Sequence, residues 1–451
     1  MMEQLVKKQK AYFKTDVTKS YEFRLEQLNK LKKMVLDNQT RIEKALNNDL
    51  NKSSFEAYTT EVGFVILSLN EAIKHLKSWM KTKRAKATLL MMGSGSYIQP
   101  EPLGTVLIIG PFNYPFQLVI EPLIGAIAAG NTAILKPSEF TPATAELLEK
   151  LVSETFDEEY IKVVLGNSEV TSNLVKQKLD YIFFTGSTRV GQIIYEQAAK
   201  NLTPVTLELG GKSPTIIDET ADLGLAARRI AFGKFSNAGQ TCIAPDYIYV
   251  HEQVKVAFIK ELKQAIDTFY NDKASFGRIV NDRHFKRLEN LIEKDKIVHG
   301  GKTSERELYI QPTILEGVNW QDKVMQEEIF GPILPILTYK NLDEVISLLK
   351  EKEKPLALYI FTKSKENQAK VFNALSFGGG AVNDTIMHVA NANLPFGGVG
   401  ASGIGAYHGK TSFDTFSHFK SYVKKNPLFD TRLLYPPYSK KIEDTLKKWI
   451  K

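Results

Sequence analysis

The chain has 451 residues, 43% hydrophobic and 24% charged, with a formal net charge of +8. That length supports a large core and two or three domains. A single cysteine excludes a disulfide scaffold and fits a reducing compartment. The N-terminus, Met1-Met2-Glu3-Gln4-Leu5-Val6-Lys7, is too polar for a secretory leader. The longest apolar stretch, 118–129, is broken by Glu121-Pro122 and too short to cross a bilayer. A cytoplasmic protein is expected. The lysines are scattered beside glutamates and no base-stacking motif occurs, so nucleic acid is not an expected partner. Seven dispersed histidines give no metal-ligand spacing, and no metal is expected.

Residues 1–90 read as helical. Phe23, Leu25, Leu28, Leu31, Met34 and Val35 recur at helical spacing, and Ile42, Ala45, Leu46 and Leu50 continue the pattern. The texture then changes. Val106-Leu107-Ile108-Ile109, Thr132-Ala133-Ile134-Leu135 and Asp180-Tyr181-Ile182-Phe183-Phe184 are short, mainly apolar runs, each closed by a turn signal. Helical stretches at 118–129, 142–155 and 187–200 lie between or after them. Short buried strands alternating with helices predict βαβ units and a parallel sheet. Ligands of such sheets sit beyond the carboxyl ends of the strands. A second block starts near Val205, with strand-like runs at 205–209, 215–217 and 247–250 and a helix near 223–236. It contains Glu208 and Cys242 and reads as a catalytic domain. Beyond 395 the chain is glycine-rich, then aromatic and strand-like. It passes Leu433-Leu434-Tyr435-Pro436-Pro437 and closes on an amphipathic helix ending in Trp449-Ile450.

The turn signals carry the chemistry. Gly186-Ser187-Thr188-Arg189-Val190-Gly191 follows a strand and opens a helix, where backbone amides can receive a phosphate. It departs from the dinucleotide fingerprint and by itself is an ordinary turn. Lys136-Pro137-Ser138-Glu139 offers two groups for ribose hydroxyls, and Glu139 disfavours a 2′-phosphate. Asn113, between Pro111-Phe112 and Tyr114-Pro115, is a rigid amide suited to an oxyanion, or a plain turn asparagine. Glu208 precedes Gly210-Gly211 and is a candidate base for water, or a strand-end cap. Cys242, in Gly239-Gln240-Thr241-Cys242, is a candidate nucleophile; alone it would equally be a buried filler.

Taken in order, these segments resemble the NAD(P)-dependent aldehyde dehydrogenase superfamily. Pro-Phe-Asn-Tyr-Pro (111–115), Ile-Leu-Lys-Pro-Ser-Glu (134–139), Phe-Thr-Gly-Ser (184–187) and Leu-Glu-Leu-Gly-Gly-Lys-Ser-Pro (207–214) carry the match. So do Gly-Gln-Thr-Cys (239–242), Gln-Glu-Glu-Ile-Phe-Gly-Pro (326–332) and Pro-Phe-Gly-Gly (395–398). The short N-terminus, Ala244-Pro245-Asp246-Tyr247 and the late Tyr-Pro-Pro-Tyr are similar to the class 3 branch.

The resemblance implies an α/β fold: a Rossmann-like parallel-sheet cofactor domain, an α/β catalytic domain and a small β oligomerisation arm. The implied boundaries are 1–83 and 105–204 for NAD(P), 205–395 for catalysis, 84–104 and 396–425 for the arm, and 426–451 for a tail. It implies oxidation of medium or long aliphatic or aromatic aldehydes to acids by a homodimer, with NAD or NADP. Cys242 would be the nucleophile, Asn113 the oxyanion donor and Glu208 the base for water. Lys136, Glu139, Gly186, Ser187, Gly191, Glu328, Phe330 and Phe396 would contact the cofactor. Tyr114, Thr385, Ile386 and His388 would line the substrate pocket. Phe112 stands where many relatives have tryptophan. A CoA-acylating sibling is disfavoured by Glu208, and a non-catalytic relative by the presence of both Glu208 and Cys242. At the C-terminus, Ile442, Leu446, Trp449 and Ile450 share a helical face opposite lysines. Docking on protein is the plainer expectation there, with weak contact to an anionic membrane as the alternative.

Overall fold

The computed structural model describes residues 2–86, 88, 91, 93–273, 276–428 and 435–450, without the side chains of 449 and 450. Leu433 and Leu434 therefore lie outside the described residues, as do the side chains of Trp449 and Ile450. An N-terminal helical layer comes first: Met2–Phe13, Tyr21–Asp37, Gln39–Leu50 and Gly63–Trp79. Ser20 starts the second helix by accepting from the Phe23 amide at 3.1 Å. Leu28, Leu31, Val35, Ile42 and Leu46 are fully buried, which is the apolar face that the spacing predicts. A π-helical turn, Tyr58–Val62, leads into Gly63–Trp79.

Next comes a six-stranded sheet. Its order is Gly403–Ile404, Val205–Glu208, Tyr181–Thr185, Thr105–Ile109, Thr132–Lys136 and Ile161–Val163. All neighbours are parallel except the first pair. Thr105–Ile109, Thr132–Lys136 and Tyr181–Thr185 are buried at every residue. That burial explains their unbroken apolar runs, since helices cover both faces of a parallel sheet. The helices Gln117–Ala129, Pro142–Thr155 and Thr188–Ala199 follow strands, as the sequence predicts.

A seven-stranded sheet forms the second layer system. Its order is Ile297–His299, Thr313–Glu316, Ile333–Tyr339, Tyr247–His251, Pro214–Ile217, Ala357–Phe361 and Gly379–Val382. Only its first pair is antiparallel. A three-stranded antiparallel sheet, Lys83–Ala85, Ser94–Pro102 and Ser417–Lys425, stands apart from both. No helix among the described residues is long and apolar enough to cross a membrane.

Two expected boundaries shift. Val205–Glu208 belongs to the six-stranded sheet, paired with Tyr181–Thr185, so the chain crosses to the second sheet only after Glu208. Residues 396–408 are not part of the arm. Gly403 pairs with Glu208, and Phe396 bridges Tyr407 beside the first sheet. Backbone pairing partners, invisible to local composition, decide both points.

Candidate active site

Cys242 follows a tightly wound turn. Asn237, Ala238 and Gly239 all have positive φ, at 53°, 52° and 74°. Only Gly239 is adapted to this; the other two are held by neighbours. A Cβ on Gly239 would stand 2.3 Å from the Gly331 carbonyl oxygen. Gln240 pins the turn by donating to the Asn237 and Arg278 carbonyls and accepting from the Val280 amide. Tyr359 Oη donates to the Ile243 carbonyl at 2.7 Å. Cys242 itself is half-buried, against a core that also holds Ile386 and Val389. Burial, with Glu328 and Glu208 nearby, pushes its thiol up to about 12.

Asn113 meets this turn from the first sheet. It lies just past the carboxyl end of Thr105–Ile109 and is 3% exposed. Its Nδ2 donates to the Gln240 carbonyl at 3.0 Å, which leaves the second amide hydrogen free. The neighbouring Tyr114 hydroxyl and Thr241 hydroxyl are 2.7 Å apart. Two loops distant in sequence are thus joined around the thiol.

Glu208 ends its strand with a 2% exposed side chain. Neither of its carboxylate oxygens has a hydrogen-bond partner within the protein. Burial alone raises its pKa well above the usual carboxylate range. An unpartnered buried carboxyl is costly in a structural role and typical of a proton acceptor waiting for its ligand.

Glu328 lies against Gly210, where a Cβ would stand 2.2 Å from Oε2. Burial first, then Asp246, pushes its pKa up to about 8. Its segment is clamped by residues that sequence reading passed over. Lys212 Nζ sits 2.5 Å from Asp246 and donates to the Val324 and Glu327 carbonyls. Asp246 accepts from the Ile329 amide at 2.9 Å. Phe330 has φ 51° and an edge contact with Phe112, 5.7 Å between centroids. Phe112 also meets Phe140 and His284.

Lys136 is 1% exposed and donates to the Pro137 carbonyl at 2.8 Å, with Glu139 at 3.5 Å. Burial lowers its pKa. Ser187 is exposed and makes no side-chain cap, so it offers no intrahelical partner to the first amides of Thr188–Ala199. A Cβ on Gly186 would meet Phe184 at 2.5 Å, and one on Gly191 would meet Leu209 at 2.7 Å. These features fit a dinucleotide: free helix amides for phosphate, a lysine and a carboxylate at a strand end, and glycines allowing close packing.

Phe396 stacks on His408, 5.1 Å and 15°, within the core against which Cys242 packs. It makes no ring contact with Phe330; the two belong to separate aromatic clusters. His388 stacks on Phe396 at 6.2 Å, with both ring nitrogens unpartnered. Burial holds it at about 4, so it is neutral near pH 7. Thr385 is 1% exposed, and its hydroxyl donates to the Arg229 carbonyl. It supports the loop rather than offering that proton. Ile386, with φ 45°, packs on the same large core as Cys242.

A profile of the aldehyde dehydrogenase family matches residues 1–422. The chain is 53% identical to 4,4'-diaponeurosporen-aldehyde dehydrogenase of Staphylococcus aureus, over 98% of both chains. It is 48% identical to aldehyde dehydrogenase family 3 member A2 of Mus musculus, over 97% of this chain and 92% of that one. A solved structure described as the substrate-bound state of Staphylococcus aureus AldH superposes with TM-score 0.98 at 52% identity, covering all of both chains. With the cysteine turn, the two carboxylates and the sheet ends already in place, these likenesses establish that the chain belongs to the aldehyde dehydrogenase family, in its class 3-like branch.

Proposed function

We propose that this dehydrogenase oxidises apolar aldehydes to carboxylic acids through a covalent intermediate on Cys242. The observation that carries this reading is the Asn113 amide bonded to the Gln240 carbonyl, two residues before Cys242, with Glu208 unpartnered nearby. The Cys242 thiol gives its proton to solvent, and the thiolate attacks the aldehyde carbon to form a thiohemiacetal. The free hydrogen of the Asn113 amide and the Cys242 backbone N–H hold the developing oxyanion. Bound NAD or NADP would supply the acceptor for the hydride of this carbon. A thioester on Cys242 remains. Glu208 takes a proton from water, which attacks the thioester and releases the acid and the thiol. Both Cys242 and Glu208 have raised pKa values, so activity is expected to climb with pH through and above neutrality.

Lys136, Glu139, Gly186, Ser187 and Gly191 would hold the cofactor's adenosine and phosphates, and Glu328, Phe330 and Phe396 its nicotinamide end. Apolar substrates are favoured by the surroundings of the turn. Ile386 and Val389 share the core with Cys242. Phe55 and Tyr58, 79% and 42% exposed, flank Glu56, whose carboxylate accepts from the Asn237 amide. The relative named for 4,4'-diaponeurosporen-aldehyde supports the same preference.

A homodimer is part of this reading. The three-stranded sheet leaves Ile98, Phe419 and Val423 exposed, which suits burial against a second copy. A sedimentation-equilibrium mass of one chain would overturn it. For the C-terminal helix Lys440–Ile450 we favour docking on protein over membrane contact. Its Ile442 and Leu446 are half-buried while Lys441, Lys447 and Lys448 are exposed. Loss of co-sedimentation with anionic vesicles on deleting 440–451 would reverse that preference.

The test of the reaction is cofactor reduction with a medium-length aliphatic aldehyde. Cys242→Ala is expected to abolish it while cofactor titration stays intact. Equal activity in wild type and variant would refute the covalent route.

A further inference from the structure

Behind the Asn113 loop lies a buried ion pair to which the reaction assigns no role. Lys52 and Glu61 are both 0% exposed, with Nζ 2.5 Å from Oε1. Lys52 Nζ also donates to the Asn113 carbonyl at 3.0 Å and lies 4.0 Å from the centroid of the Tyr114 ring. The other Glu61 oxygen accepts from the Phe116 and Gln117 amides at 2.9 and 3.1 Å. One pair therefore grips residues 113, 114, 116 and 117. These are the second half of the turn between the strand Thr105–Ile109 and the helix Gln117–Ala129, with the helix's first residue.

The pair comes from the N-terminal helical layer. Glu61 sits in the π-helical turn Tyr58–Val62, a rare geometry that often marks functional positions. The same layer reaches the cysteine turn: Glu56 accepts from the Asn237 amide at 2.6 Å, and Asn237 Nδ2 donates to the Asn113 carbonyl at 2.7 Å. A buried ion pair is a poor source of stability, because desolvation offsets its attraction. Apolar residues of equal volume would pack as well. They could not satisfy a carbonyl and two amides at once, and so could not fix the turn's rotation.

We propose that the Lys52–Glu61 pair is a positioning device that aims the Asn113 amide at the oxyanion formed on Cys242. This rests on the oxyanion role given to Asn113 above. An oxyanion donor acts through placement, and small displacements cost large factors in rate. Lys52 and Glu61 touch neither substrate nor cofactor and act through Asn113.

The experiment is a double-mutant cycle in the full-length enzyme with saturating NAD, reading the single-turnover rate of cofactor reduction. Lys52→Met is expected to slow it by about tenfold or more. NAD affinity and the rate of Cys242 alkylation by iodoacetamide stay unchanged, because neither needs the oxyanion donor. Lys52→Arg is expected to recover part of the rate. In an Asn113→Ala background, Lys52→Met is expected to add little, because both changes remove one function. A wild-type rate in Lys52→Met, or a full multiplicative loss on top of Asn113→Ala, overturns the proposal. If Lys52→Met does not fold, Glu61→Gln serves in the same cycle; it keeps an acceptor oxygen for the two amides and removes the charge. An Asn113→Ala enzyme as fast as wild type would instead sink the oxyanion assignment itself, which separates the two failures.

Discussion

The cofactor edge of the six-stranded sheet and the cysteine turn handle polar groups in opposite ways. At the cofactor edge, a buried lysine is met by a carboxylate that reaches solvent. Lys136 sits 3.5 Å from Glu139, whose side chain is 36% exposed, and Ser187 leaves helix amides without a side-chain cap. Around the cysteine, acid is buried and left short of partners: Glu208 has none for either oxygen. The backbone there is nevertheless tied down by Gln240, Asn237 and Tyr359. The lesson is a division of labour. A binding edge can be assembled from backbone amides and glycines that await a ligand. A reacting centre needs side chains held in costly protonation states by a rigid frame.

The sharpest way to break this comparison is to remove the orphan acid. Glu208→Gln is expected to lower steady-state turnover by about a hundredfold or more, since it deletes the general base. A stopped-flow burst of cofactor reduction should survive, because thioester formation precedes the water step. Loss of the burst as well would place Glu208 at thiol activation instead.

A smaller effect is expected at the cofactor edge. Glu139→Gln should raise the ratio of kcat/KM with NADP to that with NAD by only a few-fold, because charge at a half-exposed site is screened. An unchanged ratio would show that this carboxylate does not face the 2′ position.

The last effect concerns stability and leaves the reaction untouched. Burial pushes Glu121 up to about 8, against an ordinary carboxyl in the unfolded chain, and Ser68 only partly offsets this. The native state thus keeps a proton that the unfolded state releases. Stability contributed by this neutral group is present at acid pH and falls as pH rises from the ordinary range toward about 8. The fall is about 1.4 kcal/mol for each pH unit in that window. Glu121→Gln cannot ionise and should match wild type near pH 4 while melting at higher temperature near pH 8. Parallel melting curves across the range would show that Glu121 is ionised in the fold.

Much of the cofactor edge was legible in the sequence. The strands Thr105–Ile109, Thr132–Lys136 and Tyr181–Thr185 are largely apolar runs, and each is closed by a glycine, proline or lysine where a ligand can approach. The cysteine turn was legible only as a motif. Nothing local to residues 237–242 reveals that three successive residues take positive φ, because Gly331, Arg278 and Val280 from distant segments hold them there.

The sequence by itself determined the N-terminal helices, the alternating strands and helices from 105 to 250, and which polar types stand at their strand ends, because burial periodicity and turn chemistry are short-range. It also determined the family, through motifs kept in order. Tertiary structure alone decided that Val205–Glu208 and Gly403–Ile404 join the first sheet, that Asn113 meets Gln240, and that Lys52 and Glu61 stand beneath Asn113. Those contacts join residues as far as 197 positions apart, as Leu207 and Ile404 are. They follow from how whole layers pack, and no window of neighbouring residues contains that information.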